Sequence, residues 1–497
     1  MNLATRQGAT APWETALPEH RDLYYGGGWH APVDGGTAPT FDPGRGVELC
    51  GVGEASKADV DKAVAAARAG FQVWRDVAPL ERARILKQIA QILRDNAREL
   101  AIIDAVNCGN PVSEMMGDAK VAAALLDFFA GLVTEMKGSS IPMGPDSVNF
   151  SVRQPLGVVA RILAFNHPFM FCAGKMAAPL AAGNAVIMKP PAQAPLSSLR
   201  LAELMHGLLP AGVFNVLPGG VEAGAALASH KDVAKVTLVG SIAAGRAVMR
   251  AASDTVKPVL LELGGKNALI AFADSDPDAV ARAVVGGMNF TWCGQSCGST
   301  SRAFLHADIH DAVIERVRDA ASGFRPGLPT DPATTMGALV SKAHHERVMG
   351  FIQSAKDEGA RLVCGGAAPS EPELAKGHYI EPTIFADVTP SMRIAREEIF
   401  GPVLCVRRWS DEKEMIEEVN RLEYGLTCSI WTRDLVKAHR TAQAVEAGFV
   451  WINEVSKHFL GAPFGGVKQS GIGREESIEE LLSFTHEKNI HIGLSGQ

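Results

Sequence analysis

No stretch of the chain approaches the roughly 18 uncharged apolar residues that a membrane-spanning helix needs. The opening residues, MNLATRQGATAPWETALPEH, hold no apolar run of the kind a secretion signal carries. Basic residues are in the minority, 48 Lys and Arg against 55 Asp and Glu, and no basic tract could neutralise a row of phosphates. Nucleic-acid binding is therefore not expected. The eight cysteines include no CxxC pair and the 14 histidines no HExxH, so no metal site is expected either. The GxGxxG fingerprint and the Walker A loop are also missing. These absences describe a soluble, cytoplasmic protein with reduced thiols.

What is present fits a globular enzyme. A chain of 497 residues, 47% apolar and 21% charged, exceeds one core and implies two or three domains. Residues 1–20 read as a tail. From Ser56 to about Asn110 apolar residues recur at three and four, as in PLERARILKQIAQILRDNARELAIIDAV, and a further helix is expected over roughly 113–136. The pattern then changes. Apolar runs GVVARILAF, GNAVIMKP, GVFNVLPG, VAKVTLVG and PVLLELGG alternate with helical stretches, which is how a parallel sheet wound by βα units reads. A second series, from about Asp276, has strand candidates SRAFLHA, VLCVRRW, LTCSIWT and GFVWINE.

Three features could carry chemistry. In NFTWCGQSCGSTSR, Cys293 and Cys297 are candidates for packing or for a reactive thiol; the small neighbours Ser296 and Gly298 leave Cys297 approachable. In VTLVGSIAAGRAVMR, Gly240 and Ser241 lie at a strand-to-helix junction with Gly245 a turn later, which suits either a helix cap or a pyrophosphate on exposed amides. Lys189 in AVIMKPP is either a solvated strand-end lysine or a group reaching a ribose at the carboxyl edge of the sheet.

AFNHPF, MKPP, VGSIAAG, LELGGKN, GQSCGS, EEIFGPV, YGL, GFVWIN and PFGGVKQSGIGRE occur in one order along nearly the whole chain. As an ordered set they resemble the aldehyde dehydrogenase superfamily. The resemblance implies an α/β protein with two doubly wound parallel-sheet domains: a Rossmann-like cofactor domain (21–132 and 152–264) and a catalytic domain (265–476). Segments 133–151 and 477–497 would form a small oligomerisation arm, making a homodimer or homotetramer.

It also implies roles. Cys297 matches the nucleophile, a thiolate that adds to the aldehyde carbon and creates a good hydride donor. Asn166 matches the side-chain donor to the resulting oxyanion, beside the Cys297 backbone amide. Glu262 matches the base that activates water against the thioester. Its separation from Cys297 is one residue longer than usual in the family, which we read as an insertion around NFTWCG. Lys175 matches a lysine below the oxyanion site, where a cation would lower the thiol pKa. Lys189, Ala192, Gly240, Ser241, Gly245, Leu263, Glu398 and Phe400 match positions around the cofactor, NAD or NADP. Many NAD-preferring relatives carry an acid where Ala192 stands, so measurable use of both cofactors is expected.

For the substrate, Gly174 replaces a bulky aromatic common in relatives and would leave space. Phe169, Lys457, His458 and Phe464 match tunnel positions. A roomy tunnel with a cation at its wall would suit a bulky aromatic or carboxylated aldehyde. Two other readings fit the motifs less well. A CoA-acylating dehydrogenase is disfavoured by Glu262, and a silent scaffold by retention of Cys297, Glu262 and Asn166 together.

Overall fold

The computed structural model describes residues 17–494. Of the expected tail, 1–16 lie outside the described residues, and 17–20 are anchored. Leu17 packs on the core, and His20 stacks on Trp29 at 4.6 Å and takes Glu203 as partner.

Five strands, Val158–Ile162, Ala185–Lys189, Phe214–Val216, Lys235–Gly240 and Val259–Leu263, form the parallel centre of an eight-stranded sheet. Each falls in one of the five apolar runs of the first series. Parallel strands are covered by helices on both faces, so their sequences read as near-continuous apolar stretches. The chain starts at Val158–Ile162, moves out one way through Ala185–Lys189 and Phe214–Val216, then returns to add Lys235–Gly240 on the other side. The crevice beyond the carboxyl ends of Val158–Ile162 and Lys235–Gly240 is therefore a topological switch point, where α/β sheets bind ligands.

The helices Pro79–Asp95, Ala97–Cys108 and Val112–Gly131 build the core beneath this sheet. Pro79–Asp95 starts on a proline, whose missing N–H costs nothing in a first turn, and buries Ala83, Leu86, Ile89, Ala90 and Leu93 on one stripe. The helix expected over 113–136 is Val112–Gly131.

The second sheet has seven strands in the order Arg361–Cys364, Thr383–Ala386, Val403–Trp409, Arg302–His306, Ala268–Ala271, Thr427–Trp431 and Phe449–Ile452. All pair in parallel except the first. Ala268–Ala271, Arg361–Cys364 and Thr383–Ala386, only four residues each, are additions to the four strands expected.

Two strand pairings cross the expected boundaries. Gly471–Ile472 pairs antiparallel with Val259–Leu263, so the end of 265–476 joins the first sheet. Thr485–Gly493 pairs along the full length of Ser147–Pro155, which carries the three-stranded arm past 151. Leu481 and Phe484 meanwhile sit in the first core rather than in the arm. Among the described residues, no helix is long and apolar enough to cross a membrane.

Candidate active site

Cys297 lies in the connection between the helix Pro277–Gly287 and the strand Arg302–His306. Left-handed Asn289 and Cys293 bracket a single tight turn, Phe290–Trp292. The turn directs the two thiols apart. Cys293 is fully buried and its Sγ donates to the Gly337 carbonyl at 2.9 Å, the arrangement of a packing residue. Cys297 instead faces a cavity of about 640 Å³, and its carbonyl is held by Asn267 Nδ2 at 2.7 Å.

Glu262, in the strand Val259–Leu263, lines the same cavity and is 4% exposed. Burial pushes its carboxyl up to about 7, against the downward pull of the Cys297 thiol and Lys175. Its Oε1 is buried without a partner among the described residues. Burial and the Glu262 charge also push the Cys297 thiol up, well above the usual cysteine range. Lys175 pulls it down as expected, but burial and the Glu262 charge outweigh it; its ammonium also pairs with Glu475 Oε2 at 2.5 Å. At rest near neutral pH the thiol therefore holds its proton.

Asn166 lines the cavity where the strand Val158–Ile162 gives way to the helix Pro168–Lys175. Asn110 fixes its backbone by donating to the Asn166 carbonyl at 2.7 Å. Beneath the site lies a buried ion network. Arg161, fully buried, donates to Glu475 Oε1 at 3.0 Å and Glu480 Oε1 at 3.1 Å, while Lys175 closes the other side of Glu475.

Glu398 stands over the LELGGKN turn, accepting from the Gly265 amide at 3.0 Å. A Cβ on Gly264 would lie 2.0 Å from Glu398 Oε2, so the glycine is what admits the carboxylate. Burial pushes Glu398 up to about 7. Arg347 donates to the Glu398 carbonyl at 2.7 Å, and His344 Nε2 bonds the Phe400 carbonyl at 2.7 Å, which hold the segment in place. Burial takes His344 down to about 4, leaving it a neutral donor near neutral pH.

The rest of the cavity runs along the switch-point crevice and fits a dinucleotide. Lys189, Ala192, Gly240 and Ser241 line it. Ser241 also caps the helix Ile242–Ser253, its Oγ accepting from the Ala244 amide at 3.2 Å, which directs the helix N-terminus at the cavity. Gly245 is a correction. It is buried, and a Cβ there would stand 2.6 Å from Leu263 Cδ1, so it serves close helix-to-sheet packing, with the Leu263 side chain as its partner.

The substrate side brings three further corrections. A Cβ on Gly174 would meet Leu125 Cδ1 at 2.7 Å; the neighbouring helix Val112–Gly131 fills the expected space. Phe169 is fully buried core, where a tunnel wall was expected. Lys457 Nζ pairs with Glu454 Oε2 at 2.5 Å and is largely exposed, so it is not an unpaired cation at a tunnel wall. His458 and buried Phe464 do meet, 4.4 Å between rings, with Phe449 beside them. Burial pulls His458 down, but its bond to Glu476 and that charge outweigh burial and raise it overall.

Sequence reading missed Glu475, Asn110, Arg161, Asn267, His344 and Arg347. Glu475 and Asn267 lay inside quoted motifs. The others act through buried backbone or ion contacts that no spacing announces.

A half-buried thiol and a buried carboxyl facing a dinucleotide-shaped crevice define a class, the thiol-dependent oxidoreductases. The chain belongs to the aldehyde dehydrogenase family, whose model matches residues 29–490. It is 53% identical over 493 residues to the aldehyde dehydrogenase tropH of Talaromyces stipitatus, covering 98% of this chain and 96% of that one. The NAD+ complex of an aldehyde dehydrogenase from Bacillus cereus superposes with a TM-score of 0.94 at 35% identity, covering 98% and 99% of the two chains. A mutant of the Pseudomonas syringae indole-3-acetaldehyde dehydrogenase AldA, in complex with NAD+ and IAA, superposes with a TM-score of 0.94 at 37% identity, covering 97% and 99%. The protein is an NAD(P)+-dependent aldehyde dehydrogenase that oxidises an aldehyde to the acid.

Proposed function

We propose that Cys297 carries the reaction as nucleophile and Glu262 as base. The observation that supports this most is their pairing at one cavity, each perturbing the other, with Glu262 poised near 7. Glu262 takes the thiol proton, and the thiolate adds to the aldehyde carbon. Asn166 Nδ2 and the Cys297 amide donate to the oxyanion. Bound NAD(P)+ supplies the hydride acceptor and a positive charge that favours the thiolate; Lys189, Ser241, Glu398 and Phe400 would hold it. Loss of hydride leaves a thioester on Cys297. Glu262 passes that proton to solvent and then removes one from water; the hydroxide adds to the thioester, and the acid departs as the sulfur takes the proton back from Glu262 and the thiol returns. Lys175, with Glu475, keeps a compensated charge under the site and tempers the thiol.

The substrate reading is a bulky aromatic aldehyde, supported by the group of Phe449, His458 and Phe464 and by the substrate named for AldA. A carboxylated tail loses its support with the pairing of Lys457. We further propose a cytoplasmic enzyme, consistent with eight free cysteines, that binds neither nucleic acid nor membrane and assembles through the three-stranded arm. Whether that gives a dimer or a tetramer is read by light scattering. The decisive variants for the nucleophile are Cys297→Ala, expected to lose turnover and active-site labelling, and Cys293→Ala, expected to keep both. Turnover in Cys297→Ala would overturn the assignment.

A further inference from the structure

NAD+ and NADP+ differ only at the 2′ position of the adenosine ribose, so the group that faces that position sets the preference. Cys297 and Glu262 mark the chemical end of the cavity, which leaves the adenosine end among Lys189, Ala192 and the helix Val221–Ser229. Ala192 offers neither a hydrogen bond nor a charge. By itself it would leave both cofactors equally acceptable.

A carboxylate from elsewhere in the chain stands beside Gly220 at this end. Glu54 sits in the link between the strand Val47–Gly53 and the helix Lys57–Trp74. A Cβ on Gly220, itself a cavity-lining residue, would stand 2.8 Å from Glu54 Oε1. Glu54 is also the charge that opposes burial at Lys189, which burial brings down to about 8. The link is fixed. The Glu54 amide donates to the Gly36 carbonyl and the Ala55 amide to the Pro218 carbonyl, both at 2.9 Å, which ties it to the lead-in of Val221–Ser229. The Glu54 side chain makes no hydrogen bond or ion pair with another described residue, and it is half-buried.

We propose that Glu54 sets the cofactor preference: its carboxylate accepts from the ribose hydroxyls of NAD+ and repels the 2′-phosphate of NADP+. A carboxylate is an acceptor only, so hydroxyls satisfy it and a phosphate does not. At close range in a half-buried site the like-charge repulsion is poorly screened. The earlier expectation from Ala192 is thereby revised: NADP+ remains a ligand, but the weaker one.

The test is equilibrium binding of each cofactor, without aldehyde, by isothermal titration calorimetry on the full chain. The wild type should bind NAD+ more tightly than NADP+ by about tenfold or more. Glu54→Gln, which keeps the volume, and Glu54→Ala should each shrink that ratio by about tenfold, mainly through tighter NADP+ binding. Thermal melts confirm that both variants fold. A wild type that binds NADP+ at least as tightly, or a ratio that both variants leave within about twofold of wild type, would overturn the proposal. NAD+ binding by the wild type is the reference arm. Its absence would contradict the cofactor site itself, whereas an unchanged ratio contradicts only Glu54.

Discussion

Glu262 is a carboxyl whose proton is worth most to the fold when it stays on. In the unfolded chain it titrates near its ordinary 4.5; in the folded protein burial moves it to about 7. Below the lower value both states hold the proton and the residue costs nothing. As pH rises through about 7 the folded chain must ionise a buried group, at a cost on the order of 3 kcal/mol. Glu262→Gln should therefore stabilise the protein more at pH 8 than at pH 5, as read by urea unfolding, and an equal gain at both would contradict the desolvated environment. The same titration sets activity. Base catalysis of deacylation needs the carboxylate, so its rate should climb through pH 7, and the stability lost there is what the base role requires. Cys293 and Cys297 show how a few torsions decide a residue's fate. The sequence sets Cys293 beside Trp292 and Cys297 between Ser296 and Gly298, and left-handed Asn289 and Cys293 shape the turn between them.

The helix Val112–Gly131 shows what an element does to a neighbouring residue. It places Leu125 against Gly174, so Gly174→Trp should not narrow a tunnel but force two helices apart. Overpacking of a filled core costs typically 1–3 kcal/mol, and a residue as large as Trp should cost at least that. Chemical denaturation should show the loss, and full stability with a changed substrate range would restore the tunnel reading. The central strands were legible because parallel strands buried on both faces write themselves as apolar runs. Glu262, Asn166, Glu398 and Phe400 stood out because they sit in motifs whose order is specific, and all four line the cavity. Gly174 and Phe169 were not, since one sequence does not say which face of a short helix meets another helix. Arg161 was hidden for a similar reason. A charged residue inside VVARI breaks the apolar pattern, and its two carboxylate partners lie more than three hundred positions away. Glu54 was passed over because nothing local in GVGEAS distinguishes it from a surface acid.

Across the molecule, the last segments of the chain return to the first sheet and complete the site. Gly471–Ile472 extends that sheet, Glu475 and Glu480 meet Arg161, and Leu481 and Phe484 close the core. Cutting one member of so buried a network leaves charge unpaired, so Arg161→Met should cost about 3–5 kcal/mol. Urea unfolding should show it as a fall in midpoint, and a loss below about 1 kcal/mol would mean the network is solvated. The covalent route itself is tested most directly by Glu262→Gln mixed with aldehyde and NAD+ in a rapid-mixing absorbance experiment, followed by intact mass and peptide mapping. Covalent catalysis through Cys297 requires a burst of up to one equivalent of NADH per site, then near-arrest, with the acyl group mapped to Cys297. Undiminished steady turnover, or no burst and no adduct on Cys297 in a folded variant, would contradict it.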